Sequence, residues 1–349
     1  MSYNFSITRK QDMSVANTTN EPFGKVPTNH MFIAEYRNGE WHNPRIEPMH
    51  DLTLSPLALC LHYGQTVFEG MKAFKFADGR VNIFRVEKHH DRFCKSLDRM
   101  CMPPVSYELF RDSIRELVNL DRDWVPADGD GSLYLRPFMI ATEARIGASK
   151  AEEYLYMVLA SPAYQYYSAP LKIKVERNFT RAADGGTGAA KCGGNYGGAF
   201  YPTQKAREEG FDQVLWTDNK HHETIEESGT MNAMFYFNNT LVTPALSGSI
   251  LDGVTRDSML TIARETGIHV EERSISITEL KALFDSGTQV EAFGAGTAAV
   301  VAPIKSITID GKEYACYLGE DAVMFKLKSA LFNIRKGLAP DTHGWNLVI

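Results

Sequence analysis

The chain has 349 residues, of which 44% are hydrophobic and 23% are charged, a size and composition that favour about two folded domains over one core or a disordered coil. Its net charge of -6 argues against nucleic acids and acidic membranes as partners and favours small molecules. The five cysteines lack CxxC or zinc-ligand spacing, and no apolar run approaches ~18 residues, so we expect a cytoplasmic protein without disulfides, bound metal or membrane spans.

The first half of the chain predicts hairpins followed by helices and strands. The dipeptides Asn38-Gly39 and Asp78-Gly79 separate apolar runs and accept the positive φ angles of tight turns, so antiparallel hairpins are expected at both places. Apolar spacing predicts two helices, 86–100 and 107–120, and then two strands, 132–141 and 154–163.

The second half opens after an irregular stretch, 164–170, which is typical of a connection between domains. We therefore expect domains 1–167 and 168–349. Strands are predicted at 171–175, 213–217, 234–237 and 289–293, and helices at 256–266, 278–285 and 320–336. Strands and helices do not alternate strictly, which favours the α+β class over a doubly wound sheet.

The most unusual segment is GGTGAAKCGGNYGG at 185–198, where Lys191 lies among seven glycines. Glycine lets another group approach the backbone closely, at a cost in chain entropy. A lysine flanked by small residues can be partly desolvated, which frees its amine to attack a carbonyl and form a Schiff base. Taken alone, the segment leaves open a flexible loop with a solvated lysine.

Six motifs occur in a characteristic order: FEGMKAF at 68–74, FR at 84–85 with DR at 91–92, YLRP at 134–137, KCGGNY at 191–196, ESGTMN at 227–232 and FGAGTA at 293–298. Through them the chain resembles, from about residue 23 to 345, the branched-chain aminotransferases, pyridoxal-phosphate (PLP) enzymes of fold type IV. The resemblance implies two α+β domains: a smaller α/β sandwich domain, and a larger domain that has a barrel-like β core and bears the lysine. It also implies an active site between them.

For the cofactor, the resemblance implies that Lys191 forms the Schiff base with PLP and moves a proton between substrate and cofactor. Glu227 matches the carboxylate that faces the pyridine nitrogen, and Arg92 matches a ligand of the phosphate. From the residues alone, Glu226 and Glu227 could instead be a solvated pair. The complete implied cofactor-binding set is Lys191, Arg92, Tyr196, Glu227, Thr230, Val254, Thr255 and Thr297.

For the substrate, the resemblance points to a mostly aromatic pocket that suits leucine, isoleucine and valine side chains. Arg136, with Tyr134, is expected to meet the γ-carboxylate of glutamate, and the turn at Ala298 to hold the α-carboxylate. In the family, Tyr63 and the loop near Ile146 reach into the partner subunit's site, which implies a homodimer. The complete implied substrate set is Tyr63, Phe68, Tyr134, Arg136, Tyr166, Thr297 and Ala298.

The implied activity is transfer of the amino group between L-leucine, L-isoleucine or L-valine and 2-oxoglutarate. A D-amino-acid aminotransferase or an aminodeoxychorismate lyase is the alternative, since either would keep Lys191, Glu227 and Arg92 and change the pocket. GAGTAA at 294–299 resembles a dinucleotide-binding turn, but Asp310-Gly311 predicts a hairpin where that fold needs a helical crossover. A metal hydrolase is disfavoured because no HExxH motif is present.

Overall fold

The computed structural model describes residues 5–16, 18, 21–127, 129–164 and 167–349. Its contacts define two compact units: Met1–Tyr166 with Ala190–Gly194 and Arg335–Ile349, and Tyr167–Ala189 with Asn195–Ile334. The expected ranges, 1–167 and 168–349, share the break near 167 with this division. They differ from it at Ala190–Gly194 and Arg335–Ile349, which belong to the first unit although they follow residue 167 in the chain. Lys191 therefore belongs to the first unit and not, as expected, to the second.

The strands of the described residues are β1 (Ser6–Ile7), β2 (His30–Arg37), β3 (Glu40–Pro48), β4 (Thr66–Phe68), β5 (Met71–Lys75), β6 (Val81–Phe84), β7 (Ser132–Ala141), β8 (Tyr154–Ala163), β9 (Leu171–Val175), β10 (Gln213–Thr217), β11 (Ile225–Ser228), β12 (Met231–Phe237), β13 (Thr240–Thr243), β14 (His269–Glu272), β15 (Glu291–Gly296), β16 (Val300–Ile309), β17 (Lys312–Ala315) and β18 (Asn346–Val348). The helices are α1 (Leu59–Tyr63), α2 (Val86–Arg99), α3 (Tyr107–Leu120), α4 (Gly194–Glu208), α5 (Val254–Glu265), α6 (Ile277–Asp285) and α7 (Val323–Arg335), with a 3₁₀ turn at Arg122–Trp124.

The first unit is built on a nine-stranded sheet with the order β1-β3-β2-β8-β7-β5-β6-β18, and β4 pairs with β7. Both expected hairpins are confirmed: β2 pairs antiparallel with β3 across Asn38-Gly39, and β5 with β6 across Asp78-Gly79. Asn38 and Gly39 have φ angles of 53° and 83°, the left-handed values that this turn requires.

The helices α2 and α3 bury one apolar face against this sheet. Phe93 from α2 and Phe110 from α3 join Phe32 and Tyr156 of the strands in one core cluster. Because side chains alternate across a strand, Met31 and Ile33, the neighbours of Phe32, lie in a separate cluster. The predicted helix 107–120 is confirmed with the bounds expected, and its Ser106 side chain caps it by accepting from the Leu109 N–H.

The second unit contains a closed barrel of six strands, β9, β10, β11, β12, β15 and β16, because β11 pairs with both β10 and β12. The barrel encloses an apolar core that includes Ile173, Leu215, Phe235 and Ile304. The predicted hairpin at Asp310-Gly311 is confirmed, since β16 pairs antiparallel with β17. This pairing removes the dinucleotide-binding alternative, which needs a parallel strand after the glycine-rich turn.

Several elements were not predicted from the sequence, and α4 and β18 show why. The helix α4 begins at Gly194, inside the glycine-rich segment, and contains Pro202. Both residue types disfavour helix interiors, so local propensity gave no sign of it. The strand β18 pairs antiparallel with β6, more than 250 residues earlier in the chain, and three residues carry too little pattern for prediction.

Candidate active site

Lys191 of the first unit lies on a backbone that hydrogen bonds fix on both sides. Its N–H donates to Ser96 Oγ at 2.9 Å, and its carbonyl accepts from the Phe68 N–H at 3.0 Å. The Gly193 N–H then donates to the Thr66 carbonyl at 3.2 Å. The segment is therefore a short pairing partner of β4 and not the flexible loop that the glycines alone left open.

The side chain of Lys191 is partly buried, and its Nζ lies 4.9 Å from the centre of the Phe68 ring. An ammonium group above an aromatic face is attracted to the ring's electron-rich surface. Cys192, the next residue, is buried in the core of the first unit. Lys191 is thus presented on one side of a segment whose other side is anchored in the core.

Arg92 belongs to the same helix as Ser96 and is almost completely buried. Its Nε and Nη2 donate to the two carboxylate oxygens of Glu69 at 2.7 and 2.8 Å. Ser96 Oγ also donates to the Arg92 carbonyl at 2.9 Å. The helix α2 therefore holds the expected phosphate ligand and, one turn later, anchors the backbone of Lys191.

Glu69 is fully buried and takes a third side-chain contact, from His89 Nδ1 at 2.7 Å. Burial would raise the pKa of the Glu69 carboxyl, but the adjacent Arg92 charge holds it well below its ordinary value. Burial lowers the pKa of His89 against the opposing pull of Glu69. The cluster is therefore an ion pair of Glu69 and Arg92 with a neutral histidine that donates through Nδ1.

Three expected substrate residues lie together in the first unit. Arg136 Nη2 donates to the Tyr134 hydroxyl at 3.0 Å, and the Arg136 guanidinium lies 4.7 Å from the Phe68 ring centre. Gly70 completes the arrangement, because a Cβ added there would lie 2.1 Å from the Tyr134 hydroxyl. Phe68 thus contacts both Lys191 and Arg136, so a bound side chain near this ring meets a cation and an aromatic surface.

Tyr63 lies elsewhere on the first unit, at the end of α1, and 46% of its surface is exposed. Ile146 is 69% exposed, and its loop is tied to the start of α1 by the Arg145 N–H, which donates to the Leu57 carbonyl. Leu57 and Leu61 are exposed as well. We call these four exposed side chains, which lie on α1 and on the two segments joined at its start, the α1 patch: Leu57, Leu61, Tyr63 and Ile146.

Glu227 of the second unit is buried in β11, with its carboxylate held from three directions. Oε1 accepts from the Leu251 N–H at 2.8 Å and, at 3.5 Å, from Asn232 Nδ2. Arg181 Nε lies 3.1 Å from Oε2, in contact but without a linear hydrogen bond. These neighbours place two N–H donors and a cation around the carboxylate.

Glu226 is buried as well, so the solvated pair considered from the sequence is wrong. One of its carboxylate oxygens accepts from Ser249 Oγ, and burial raises the pKa of the Glu226 carboxyl. The two adjacent glutamates therefore differ in their partners: Glu227 has Arg181 and a backbone N–H beside its carboxylate, whereas Glu226 has the Ser249 hydroxyl.

The expected phosphate contacts of the second unit lie at the beginning of α5. Gly253 precedes that helix without a side-chain cap, which leaves the first N–H groups, those of Val254 and Thr255, in the position that attracts anions. A Cβ on Gly253 would lie 1.9 Å from Asn232 Oδ1, so this close approach requires glycine.

The remaining expected residues occupy turns and one helix of the second unit. Thr297 and Ala298 form the turn between β15 and β16 and are half-buried. Thr230 lies in the turn between β11 and β12 with its side chain exposed. Tyr196 is half-buried in α4. Tyr166 lies outside the described residues.

The donor set fits PLP group by group. The first unit offers an amine and a buried guanidinium, and the second offers a buried carboxylate and an uncapped helix N-terminus. These are the groups that suit an aldehyde, a phosphate dianion and a protonated ring nitrogen. Among the described residues, no cluster of potential metal ligands is present, and no helix is long and apolar enough to cross a membrane.

Sequence reasoning assigned no role to Glu69, His89, Arg181 or Asn232, which hold the expected cofactor ligands in place. A signal existed for His89, which precedes Arg92 by three residues and so shares its helix face. Glu69 stands in the first of the six motifs, between Phe68 and Gly70, but a lone glutamate in a strand-like run gives no partner.

The model of the family described as amino-transferase class IV matches residues 66–307. Two curated proteins of Bacillus subtilis (strain 168) are similar over nearly the whole chain. Branched-chain-amino-acid aminotransferase 2 is 42% identical over 93% of this chain and 90% of its own length. Branched-chain-amino-acid transaminase 1 is 43% identical, over 94% of each.

Among solved structures, the T.th. branched-chain amino acid aminotransferase complexed with N-(5'-phosphopyridoxyl)-L-glutamate is 25% identical. It aligns with a TM-score of 0.71 over 90% of this chain and 97% of its own. The expected α+β fold of type IV, with a barrel-like core, is thereby confirmed. The chain belongs to the class IV aminotransferases and, within them, to the family of the branched-chain-amino-acid aminotransferases.

Proposed function

We propose that this protein is a PLP-dependent branched-chain aminotransferase, which moves the amino group between L-leucine, L-isoleucine or L-valine and 2-oxoglutarate. The observation that carries the proposal is Lys191, fixed at its backbone and presented over Phe68, in a chain more than 40% identical to two branched-chain aminotransferases. The T.th. relative is complexed with N-(5'-phosphopyridoxyl)-L-glutamate, a ligand that joins a phosphopyridoxyl group to glutamate. Glutamate is the amino acid that 2-oxoglutarate becomes in the proposed reaction.

The cofactor is held at three of its groups. Lys191 would hold it at the aldehyde carbon, Arg92 and the first turn of α5 would hold its phosphate, and Glu227 would hold its ring nitrogen. Tyr196, Thr230 and Thr297 complete the set. The support is chemical, since a buried guanidinium and an uncapped helix N-terminus are both suited to a phosphate dianion.

When bound, PLP supplies a conjugated ring that accepts the electron pair left at the substrate's α-carbon. The Lys191 amine would take the proton from the substrate's α-carbon and return it on the cofactor side. Glu227 holds a proton at the ring nitrogen, which strengthens the ring as an electron acceptor. The Leu251 N–H and Arg181 hold the Glu227 carboxylate in place for that task.

The substrate pocket has to accept an apolar and an acidic side chain in turn. The rings of Phe68, Tyr134, Tyr63 and Tyr166 suit the branched aliphatic chains, and the Thr297 and Ala298 turn holds the α-carboxylate. Arg136 meets the γ-carboxylate of glutamate. Its donor bond to the Tyr134 hydroxyl and its stacking on Phe68 support this role, because they lower the cost of a cation beside an apolar ligand.

We further propose a homodimer in the cytoplasm. The α1 patch supports the dimer, since four large apolar side chains exposed together mark an association surface. Free thiols at all five cysteines support a reducing compartment.

The proposal is tested by incubating the purified protein and PLP with each L- and D-amino acid and 2-oxoglutarate, and measuring the glutamate formed. We expect glutamate with L-leucine, L-isoleucine and L-valine. Glutamate formed mainly with D-amino acids would indicate a D-amino-acid aminotransferase. Pyruvate formed from aminodeoxychorismate in a parallel reaction would indicate a lyase.

A further inference from the structure

Glu69 is a fully buried carboxylate between β4 and β5, and its oxygens collect four donors. Arg92 donates to both oxygens through Nε and Nη2, at 2.7 and 2.8 Å. His89 Nδ1 lies 2.7 Å from Oε2, and the Gly70 N–H donates to the same oxygen at 3.1 Å. Three of these contacts converge on Oε2 and one reaches Oε1, so both oxygens of the carboxylate are engaged.

Burying such an ion pair costs several kcal/mol of desolvation per ion, and a buried pair is weak evidence of a gain in stability. The geometry shows that the ion pair fixes the orientation of the Arg92 guanidinium. Two parallel bonds fix the plane of a guanidinium, whereas a single bond leaves it free to rotate. Arg92 has five donors, of which the pair with Glu69 uses two on one edge.

The backbone of Glu69 is fixed as firmly as its side chain. Its N–H donates to the Pro137 carbonyl at 2.7 Å, and the preceding residue, Phe68, donates to the Lys191 carbonyl. Glu69 therefore follows directly the residue that pairs with Lys191. The carboxylate that orients Arg92 and the backbone that holds Lys191 meet at one continuous segment of chain.

We propose that Glu69 is the positioning residue of the cofactor's phosphate site: it clamps one edge of the Arg92 guanidinium, so that the opposite edge faces the phosphate before the cofactor arrives. The inference rests on the proposed function, since it takes Arg92 as a phosphate ligand. His89 serves the same clamp. It shares the face of α2 with Arg92 and donates to the carboxylate as a neutral imidazole, which adds no second cation beside the guanidinium.

The clamp is tested by equilibrium binding of two aldehydes to the full chain, pyridoxal phosphate and pyridoxal, which lacks the phosphate. In Glu69→Gln, the affinity for pyridoxal phosphate should fall by about 10- to 100-fold, the effect of losing one hydrogen bond to a charged group. The affinity for pyridoxal should change by less than about twofold. In an Arg92→Lys background, Glu69→Gln should cost much less, because the group it positions is gone.

Two further variants separate positioning from general stability. Asp121→Asn is the matched control, since Asp121 is also a fully buried carboxylate of the first unit paired with a histidine, His30, at 2.6 Å. It should leave both affinities unchanged. Glu69→Asp keeps the buried charge but retracts it by about 1.5 Å, and it should reproduce the selective loss of pyridoxal phosphate without the full folding cost of Glu69→Gln.

Equal losses for both aldehydes, an undiminished effect in the Arg92→Lys background, or full affinity in Glu69→Asp would each overturn the clamp and leave the proposed function standing. A wild-type chain that binds neither aldehyde would overturn the proposed function, and the clamp with it.

Discussion

Glu227 is the buried carboxylate that we propose faces the ring nitrogen of the cofactor. Replacement by glutamine keeps its shape and removes the charge that holds a proton on the ring nitrogen. We expect Glu227→Gln to retain the cofactor but to lose about 10²-fold or more in the rate of α-proton removal, as for an interaction that strengthens toward the transition state. Single-turnover absorbance measurements with L-leucine give that rate.

The matched control is Glu226→Gln, which alters the neighbouring buried carboxyl. Burial raises the pKa of the Glu226 carboxyl, and one of its oxygens accepts from Ser249 Oγ. No role toward the ring nitrogen is proposed for Glu226, so its amide should change the rate little. Equal losses in the two variants would refute the role of Glu227, as would near-normal turnover in Glu227→Gln.

Arg136 is the residue that we propose binds the γ-carboxylate of glutamate. Replacement by glutamine removes a cation that stacks on Phe68 and donates to Tyr134. Arg136→Gln should weaken the glutamate and 2-oxoglutarate half-reactions by about 1.5 to 3 kcal/mol, the value of a hydrogen bond to a charged group, and affect leucine much less. The two half-reactions are measured separately by single-turnover kinetics, with the exposed Arg145→Gln as control. An equal loss on both sides would make Arg136 structural.

At the scale of single residues, the sequence predicts the proposed cofactor ligands better than the residues that hold those ligands in place. Lys191 was recognisable because glycines surround it and the motif extends to Tyr196. Glu69 and Arg181 were not, because their role exists only through partners 23 and 46 residues away in the chain, Arg92 and Glu227. Such a pairing depends on how strand and helix pack, and nothing in the local pattern specifies it.

At the scale of elements, the turn between β10 and β11 depends on one side chain. Asp218 accepts from the backbone N–H groups of Lys220, His221, Glu223 and Thr224 at 2.8 to 3.0 Å. Burial opposes its ionisation, but these four donors hold the pKa of Asp218 well below its ordinary value. The turn is therefore organised around an ionised carboxylate.

We expect Asp218→Asn to lower the free energy of unfolding by about 1 to 3 kcal/mol at pH 7. Because the folded pKa lies below the unfolded value of about 3.9, the wild-type advantage is fully present above that value and is lost as pH falls through the folded pKa. Urea unfolding at pH 7, 5 and 3.5 measures the difference in unfolding free energy between the wild type and Asp218→Asn. This gap should be equal at pH 7 and pH 5 and smaller at pH 3.5. Asp184→Asn, an exposed aspartate, is the control, and a constant gap would contradict the account.

The strands and helices that were predicted well have strong periodic patterns of their own. The helix 107–120 has a capping serine and an apolar stripe, and the strands 132–141, 154–163, 171–175 and 213–217 are confirmed with the bounds expected. The helix α4 was missed because its glycines and its Pro202 have low helix propensity. The glycines before the helix differ from those inside it, since they permit close approaches of other groups. Gly193, for example, would place a Cβ 2.4 Å from Thr66 Oγ1.

At the scale of the whole molecule, the proposed homodimer makes the α1 patch an interface. Ile146→Asp places a charge in it without touching the core, because this side chain is 69% exposed in the single chain. Sedimentation should show a dimer for the wild type and a shift toward monomer for the variant, since a buried unpaired carboxylate opposes association. Leu338→Asp, at a similarly exposed leucine outside the patch, is the control. A wild-type monomer, or an unchanged dimer in Ile146→Asp, would contradict the interface.

The central claim is that Lys191 carries the cofactor, and chemical trapping tests it most directly. Borohydride reduces a lysine–PLP imine to a stable amine, so reduction of the holoenzyme followed by peptide mapping shows which lysine was bonded. We expect the pyridoxyl group on the peptide containing Lys191, and we expect Lys191→Ala to lack both the label and the visible absorbance of the imine. A label on any other lysine, or an unchanged absorbance in Lys191→Ala, would contradict the account.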